Sequence, residues 1–358
     1  MKLNKSLLLL FLFTVVPSPL MAAGTYEIGV YYYPGWSSNV IGAGETYPWH
    51  RIKPYKEREP LLGWYEDGQV NILDQQLQWM RSYGIDFVVF DWYWDGTKNH
   101  LDQSVNAYLR ADSRSLVKYS LLWANHFSVP SNRAQFRGMV AYWLENHFKK
   151  SEYQKIEGKP VLYVFSPQHF RENAKSFASS ARELLDMAQQ MARDAGLPGI
   201  YFVMGTPALE YWVKGFAQEA GFSALSAYNY HQGYSGSPES GTSLSHSYVE
   251  LDAAYRKNWD WILKNSNVPY FIPMTAGWDK RPWGGSSDPW HDRSTSGPAE
   301  FEMHLREAKL MMDIYPQKTR RMGVICCWNE YGEGSIIEPT KTYGFGYLEA
   351  VRRVFGEN

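Results

Sequence analysis

Two glutamates three residues apart follow an apolar segment near the end of the chain. The run 322–327 is typical of a buried strand, and Glu330 and Glu333 come directly after it, in a frame of Trp, Asn, Gly and Pro. Two close carboxylates repel each other, so the pKa of one rises and that group keeps its proton at neutral pH. Such an acid and base can hydrolyse a glycosidic bond. We therefore predict that Glu330 and Glu333 are catalytic. The alternative is a solvated loop with incidental glutamates.

Hydrogen-bonding and aromatic side chains also gather where other predicted strands end. Aromatic rings stack on the apolar faces of sugars, and amides and carboxylates bind hydroxyl groups. Individually, each has a structural alternative, such as core packing for Trp94 or helix capping for Asp91. Taken together, they indicate a substrate-binding face. The predicted substrate contacts are Tyr33, Asp91, Trp94, Asn125, Asn229 and Trp278.

Eight strand-then-helix units account for the elements that must position these residues. Runs such as 87–90 and 161–165 are almost continuously apolar, which is typical of parallel strands buried on both faces. Eight such units predict a single (β/α)₈ TIM barrel, with long loops 37–64, 232–247 and 278–296 at its C-terminal face. The fourth unit is predicted to contain one helix over 174–195. An open doubly wound sheet is the rival, but no Gly-rich phosphate loop follows an early strand.

Composition and charge narrow the classes of partner. The chain has 358 residues and a formal net charge of −1, which gives no electrostatic reason to expect nucleic acid or an anionic membrane as a partner. Aromatic residues make up 16% of the chain, including 15 Trp and 26 Tyr. This content suits an oligosaccharide or polysaccharide partner, and a large aromatic core is the alternative. The sequence gives no motif for a metal or cofactor, and we predict that none is required.

The N-terminus predicts export. A basic start at Lys2 and Lys5, an apolar stretch over 7–16 and small residues near Ala23 are typical of a cleavable signal peptide. We therefore assign residues 1–23 to a signal peptide and 24–358 to the catalytic domain. The mature protein is expected in the periplasm or outside the cell, without stable membrane insertion. An uncleaved anchor is the alternative. Because neighbouring strand residues point to opposite faces, adjacent Cys326 and Cys327 are predicted to be buried free thiols.

The same motifs resemble glycoside hydrolase family 99 and its WbsX-like relatives. The resemblance covers nearly all of the predicted mature chain. The family places Trp-His between its two glutamates, whereas this chain has Tyr331 and Gly332, as is typical of the WbsX-like branch. The motifs that carry the resemblance are Tyr32-Tyr33-Pro34-Gly35-Trp36, Trp92-Tyr93-Trp94, Trp123-Ala124-Asn125, Trp328-Asn329-Glu330-Tyr331-Gly332-Glu333-Gly334 and Ile337-Glu338-Pro339.

The resemblance implies a (β/α)₈ barrel and a retaining glycoside hydrolase that acts on α-linked glycans, with α-mannosides as the expected class. It implies that Glu330 is the base that deprotonates the sugar 2-hydroxyl and that Glu333 is the acid/base, acting through a 1,2-anhydro intermediate. Glu338 is expected to support the loop. The alternatives are a WbsX-like glycosyltransferase and a non-catalytic glycan-binding barrel.

Overall fold

Eight apolar segments form the parallel strands of one barrel. The protein's structure, a computed structural model, describes residues 25–38, 48–127, 129–231 and 244–356. The predicted fold class is confirmed. The barrel strands are β1 (Glu27–Tyr32), β2 (Phe87–Trp94), β3 (Lys118–Trp123), β4 (Lys159–Val164), β5 (Tyr201–Gly205), β6 (Ala224–Ser226), β7 (Ile272–Thr275) and β8 (Met322–Cys326).

The strands pair in chain order around the barrel. Parallel ladders join consecutive strands from β1–β2 to β5–β6, and β8 forms parallel ladders with both β1 and β7. The ring closes between β6 and β7, where Leu225 donates to the Pro269 carbonyl at 2.8 Å and accepts from the Phe271 amide at 2.9 Å. This closure brings the C-terminal ends of all eight strands to one face.

Helices surround the barrel. In the described residues the α-helices are α1 (Val70–Ser82), α2 (Gln103–Arg110), α3 (Arg133–Asn146), α4 (Pro167–Ser176), α5 (Ala181–Asp194), α6 (Ala217–Ala220), α7 (Tyr248–Asn265), α8 (Pro298–Ile314), α9 (Pro316–Thr319) and α10 (Gly346–Phe355). A π-helical stretch, Tyr211–Phe216, precedes α6. The loops also contain two-residue strands, at Asn99–His100, Lys155–Ile156, Gly277–Trp278, Ser294–Thr295, Asn329–Glu330 and Ser335–Ile336. Short 3₁₀-helices lie at Pro48–Arg51, Lys56–Arg58, Asp112–Leu116, Arg281–Trp283 and His291–Arg293.

The single helix predicted over 174–195 was wrong, because two helices, α4 and α5, occupy this part of the chain. The chain turns at Ala178, whose φ is +50°, and α5 then starts afresh at Ser180. The Ser180 side chain accepts from the Glu183 amide, while the Glu183 carboxylate accepts from the Ser180 amide. This reciprocal capping box stabilises a new helix start rather than a continuous helix.

Strand alternation divides the core into two layers. On β2, Phe87 and Val89 point into the barrel, whereas Val88, Phe90 and Trp92 pack against the helices. Asp91 continues the inward series at the C-terminal end of the strand, where it lines a cavity. The same alternation on β1 directs Tyr31 inward and Tyr32 outward. Residue parity on each strand therefore decides which side chains can reach the C-terminal cavity.

The prediction of two free thiols was wrong. Cys326 and Cys327 form a disulfide with each other across a cis peptide bond, with their Cα atoms 2.9 Å apart. The prediction assumed that extended geometry continues through both residues. Instead β8 ends at Cys326, and both cysteines lie in the same buried apolar cluster inside the barrel.

The proposed signal peptide, residues 1–23, lies outside the described residues, so its assignment stays a prediction. Within 25–38, 48–127, 129–231 and 244–356, no helix is both long and apolar enough to cross a membrane.

Candidate active site

A cavity of about 990 Å³ opens at the C-terminal ends of the barrel strands. Both predicted catalytic residues line it, together with three of the six predicted substrate contacts, Tyr33, Asp91 and Asn229. Its walls combine aromatic rings with hydrogen-bonding groups, which suits a ligand with apolar faces and a hydroxyl rim. Further lining residues include Arg51, Tyr93, His100, Gln103, His126, Phe127, Phe165, Tyr228, His231 and Trp283.

A short hairpin after β8 carries both glutamates. Asn329–Glu330 pairs antiparallel with Ser335–Ile336, and the Glu333 amide donates to the Glu330 carbonyl at 3.2 Å. Gly334 completes the turn with φ at +71°, a conformation that side chains disfavour. A Cβ at this position would also lie 2.9 Å from the Asp279 Cβ. The tight turn therefore holds both carboxyl groups at the cavity.

Asn329 and Trp36 fix this hairpin to the end of β1. The Asn329 side chain accepts from the Tyr33 amide at 2.8 Å and donates to the Tyr33 carbonyl at 2.9 Å. The Trp36 indole donates to the Asn329 carbonyl at 2.8 Å. These three hydrogen bonds fix both the side chain and the carbonyl of Asn329, so the backbone next to Glu330 is held rigidly. Sequence reasoning did not assign a role to Asn329, which binds backbone rather than facing the cavity.

Gly332 makes room for an aromatic wall. A Cβ on residue 332 would overlap the indole of Trp283, whose ring lies against this point of the backbone. Trp283 lines the cavity, runs nearly parallel to Trp36 at 8°, and lies 5.6 Å from the Arg51 guanidinium. In the sequence, Gly332 stands out by its position between the two glutamates. Only the structure reveals that the absent side chain accommodates Trp283 from the loop after β7.

Two carboxyl groups contact one tyrosine in the cavity. The Tyr228 hydroxyl oxygen lies 3.0 Å from Asp91 Oδ2 and 3.0 Å from Glu330 Oε1. Burial raises the pKa of Asp91 and of Glu330 well above their usual values, and the charge of Glu333 raises that of Glu330 further. Burial also raises the pKa of Glu333 to about 7, although the Lys280 charge opposes this shift. The site therefore binds protons at a pH where ordinary carboxyls are ionised.

The other three predicted substrate contacts do not line the cavity. Trp94 points outward from β2 and stacks on Trp92 at 5.4 Å. The Asn125 side chain exchanges two hydrogen bonds with the Ser166 backbone, each 2.8 Å long. These contacts join the ends of β3 and β4. Both residues therefore have packing or bracing partners in the structure.

Trp278, the third of these, lies behind the cavity wall. Its indole stacks on His231 with ring centres 4.1 Å apart, and its Nε1 donates to Ser286 at 3.0 Å. His231 does line the cavity and contacts Asn229 Oδ1 through Nδ1 at 2.6 Å. Trp278 thus supports two residues of the cavity wall.

The substrate contacts predicted from the sequence do not include Tyr93, Phe165 or Tyr228. Tyr93 and Phe165 line the cavity, and a signal was present for Tyr93 because it shares the inward parity of Asp91 on β2. Tyr228 follows the three-residue strand β6, which is too short for parity to indicate its direction. In the described parts of the chain, no cluster of three His, Cys, Asp or Glu residues is suited to hold a metal ion.

Glu338 belongs to a buried network behind the hairpin. Its Oε2 accepts from Tyr65 at 2.8 Å and from Tyr331 at 2.7 Å, while its Oε1 accepts from Gln76 at 2.8 Å. These contacts join the hairpin to α1 and to the loop after β1, in keeping with the expected loop-supporting role. Burial raises the pKa of Glu338 to about 7.

Asp67 is a second carboxyl in this network. It accepts from the Tyr32 hydroxyl at 2.8 Å and from the Trp36 amide at 2.9 Å, and Tyr32 also contacts Gln76. Burial raises the pKa of Asp67 to about 7 as well. Two carboxyls with raised pKa values therefore lie under the loops that carry the site.

These shifts predict a stability that declines as pH rises. A folded-state pKa above the unfolded value means that the stabilisation is complete below the unfolded pKa, near 4. It is lost as pH rises through the folded value near 7, at about 1.4 kcal/mol per pKa unit and group. The free energy of unfolding, measured by urea denaturation, should fall between pH 5 and pH 8. Glu338→Gln should flatten this dependence, because glutamine stays neutral and the Gln76 amide can rotate to match it. Parallel curves for both proteins would contradict the assignment.

Comparisons with known proteins agree with this architecture. A family model described as Glycosyltransferase WbsX matches residues 33–351. No curated protein matches the chain significantly. Among solved structures, one described as a glycoside hydrolase-like protein is similar at 15% identity, with a TM-score of 0.68 over 97% of this chain and 98% of that one.

Two characterised enzymes have a similar fold. The GH99 endo-alpha-mannosidase from Bacteroides thetaiotaomicron is 14% identical, with a TM-score of 0.64 over 92% of this chain and 96% of that one. A beta-glucosidase from Thermotoga maritima is 13% identical, with a TM-score of 0.56 over 93% and 98%. At these identities the likeness concerns the (β/α)₈ fold alone. The family model, by contrast, spans most of the sequence, and the chain belongs to the WbsX family.

Proposed function

We propose that this protein is a glycoside hydrolase that cleaves α-linked glycans, with α-mannosides as the substrate class. The observation that carries the proposal is the hairpin after β8. It presents Glu330 and Glu333 to a cavity of about 990 Å³, with burial raising the pKa of both carboxyls. Aromatic and amide groups around the same cavity suit a sugar chain.

In the first step, Glu330 accepts the proton of the sugar 2-hydroxyl. The 2-oxygen then attacks the anomeric carbon, and the bond to the leaving oxygen breaks as Glu333 protonates that oxygen. The product is a 1,2-anhydro sugar, and Glu333 is now ionised. A pKa near 7 suits Glu333 to give up a proton here at neutral pH.

In the second step, Glu333 accepts a proton from water, whose oxygen attacks the anomeric carbon. The bond between this carbon and the 2-oxygen breaks, and Glu330 returns its proton to the 2-oxygen. Two inversions give net retention. Attack by the 2-oxygen must come from the face opposite the leaving group, and α-mannosides have this trans arrangement, which α-glucosides lack. Stereochemistry therefore favours a manno-configured substrate.

Export fits this role. A signal peptide over residues 1–23 would deliver the enzyme to the periplasm or the medium, where polymeric glycans occur. The glycan is the proposed partner, without nucleic acid or stable membrane insertion, and the two carboxyls supply the chemistry without a cofactor.

The test is a product screen with a panel of α-linked mannans and oligomannosides, each paired with its α-gluco counterpart. Mass spectrometry should detect shortened chains from the manno series, and NMR of the first-formed product should show the α-anomer. A matched substrate that lacks the 2-hydroxyl should not be cleaved. Cleavage of this 2-deoxy substrate at the normal rate would contradict the anhydro route. No cleavage of any panel member would contradict the hydrolase.

The description of the family favours one second candidate, a glycosyltransferase. Incubation of the same glycans with nucleotide-activated sugars distinguishes the two activities. Chain extension with release of nucleotide would support a transferase, whereas shortened chains that appear without any donor support the hydrolase.

A further inference from the structure

We propose that Asp91 and Tyr228 position the proton of the site, so that Asp91 holds a proton through Tyr228 and leaves Glu330 ionised as the base. This inference rests on the proposed function for its catalytic meaning. Its structural basis is the pair of contacts that Tyr228 makes with two carboxyl groups.

Asp91, Tyr228 and Glu330 form a triad whose two hydrogen bonds need more hydrogens than the phenol alone supplies. The phenol oxygen of Tyr228 lies 3.0 Å from Asp91 Oδ2 and 3.0 Å from Glu330 Oε1. A phenol has one hydrogen, so it can donate to one of these oxygens only. The second contact needs a hydrogen on a carboxyl group that donates to the phenol oxygen. The two carboxyls therefore share one proton, with Tyr228 between them.

The surroundings of Asp91 decide which carboxyl keeps this proton. Asp91 is 5% exposed, and its Oδ1 is buried without a hydrogen-bond partner in the described residues. An ionised carboxylate with a bare buried oxygen is costly, whereas a neutral carboxyl that donates through Oδ2 is much less so. With the proton on Asp91, Tyr228 donates to Glu330 and stabilises the carboxylate that the proposed reaction uses.

The arrangement also resolves a conflict between the two glutamates. Burial raises the pKa of Glu333 to about 7 against the Lys280 charge, whereas burial and the charges of Glu333 and Asp91 raise the pKa of Glu330 well above its usual value. A proton shared between the two glutamates would therefore stay on Glu330 rather than on the proposed acid. Asp91, the third carboxyl group, removes this competition between the glutamates, because it can hold a proton while Glu330 stays ionised. The proton moves from Glu330 to Tyr228 as the phenol hydrogen moves to Asp91 in one direction, and both return in the other. No atom is gained or lost.

The groups that face the triad come from several strand ends and loops. The neighbouring strand β3 contributes apolar Leu122 beside the cavity. The titratable groups that interact electrostatically with Asp91 or Glu330, or line the same cavity, are Tyr31, Tyr33, Arg51, Tyr93, His100, Asp102, His126, His231 and Glu333.

Two substitutions should have different effects on the pKa of Glu330. Asp91→Asn replaces the protonated Asp91 carboxyl with a neutral amide that can likewise donate to the Tyr228 oxygen, so the pKa should stay nearly unchanged. Tyr228→Phe removes the hydrogen bond that lowers the pKa of Glu330, so it should rise. We expect Tyr228→Phe to lower kcat/KM at pH 6 by about 10-fold or more, because the ionised base loses its donor.

The measurement is a ¹³C NMR titration of protein labelled at the glutamate side-chain carboxyls, with the Glu330 signal assigned by its loss in Glu330→Gln. This readout needs no substrate, so its failure is distinct from failure of the proposed hydrolase. Tyr163→Phe is the matched control, because Tyr163 is buried inside the barrel and its hydroxyl has no hydrogen-bond partner in the described residues.

A raised pKa of Glu330 in Tyr228→Phe, with little change in Asp91→Asn and in the control, would support the proposal. A clearly lowered pKa in Asp91→Asn would show that Asp91 is ionised in the native protein and would overturn it, as would an unchanged titration of Glu330 in Tyr228→Phe. If the Tyr228→Phe shift occurs while the acid limb of its kcat/KM profile stays fixed, the triad has no role in the reaction, and the proposal also fails.

Discussion

Glu330→Gln and Glu333→Gln are each expected to lower kcat on an unactivated α-linked glycan by about 10³-fold or more. Each substitution keeps the shape of the side chain but removes its ability to exchange a proton. Glu330→Gln leaves no base for the 2-hydroxyl, and Glu333→Gln leaves no acid for the leaving oxygen. Initial rates of glycan cleavage measure both effects, and thermal unfolding of each variant confirms that the barrel is intact.

An activated substrate separates the two roles. A sugar with an aryl leaving group needs little acid assistance, and azide can open the anhydro ring without a base. Glu333→Gln should therefore regain activity on an aryl glycoside when azide is added, and the product should be the α-glycosyl azide. Glu330→Gln should regain nothing under these conditions, because the ring cannot form. Rescue of Glu330→Gln instead would reverse the assigned roles, and near-normal cleavage by either variant would remove the hairpin from catalysis.

Asp279→Ala is expected to cost about 3–5 kcal/mol of unfolding free energy. Asp279 is 1% exposed and pairs with the buried Arg58 guanidinium, which also donates to the Tyr331 carbonyl at 2.7 Å. Removing the carboxylate leaves the buried Arg58 guanidinium with only the exposed Glu57 carboxylate, 3.9 Å away, as a counter-ion. The Asp279 amide donates to the Glu333 carbonyl at 2.6 Å, so the loss should also loosen the catalytic hairpin.

Arg58→Met provides the matched comparison. Asp279 keeps a second partner in this variant, because Arg281 contacts both of its carboxylate oxygens at 2.8 and 2.6 Å. Arg58→Met should therefore cost less than Asp279→Ala, and the double variant should cost less than the sum of the two. Urea denaturation of the four proteins gives the coupling free energy. Additive costs would contradict a direct ion pair between Asp279 and Arg58.

The alternation of side chains along a strand could have separated the cavity-facing residues of β2 from the helix-facing ones before the structure was known. Asp91 and Trp94, both at the end of β2, are predicted substrate contacts. Because side chains alternate, these residues face opposite sides, and an inward Asp91 directs Trp94 towards the helices. The same rule favours Tyr93 as the aromatic neighbour of Asp91. This rule identifies which side chains of a long strand point into the barrel. It cannot do so for β6, which has only three residues.

The sequence by itself determined the barrel and the position of the two glutamates. Apolar runs with repeated helix signals require parallel strands covered by helices, and the spacing of Glu330, Glu333 and Gly334 confines both carboxyls to one tight turn. These features are local, so they can be inferred from residue type and period.

The tertiary structure alone decided that Tyr228 joins Asp91, 137 residues away, to Glu330, 102 residues away. It also decided that Trp283 packs on Gly332 and that Cys326 bonds to Cys327. The first two contacts depend on how barrel closure and long loops bring distant strand ends together, and the disulfide forms where β8 ends at Cys326. These features leave no periodic trace in the sequence.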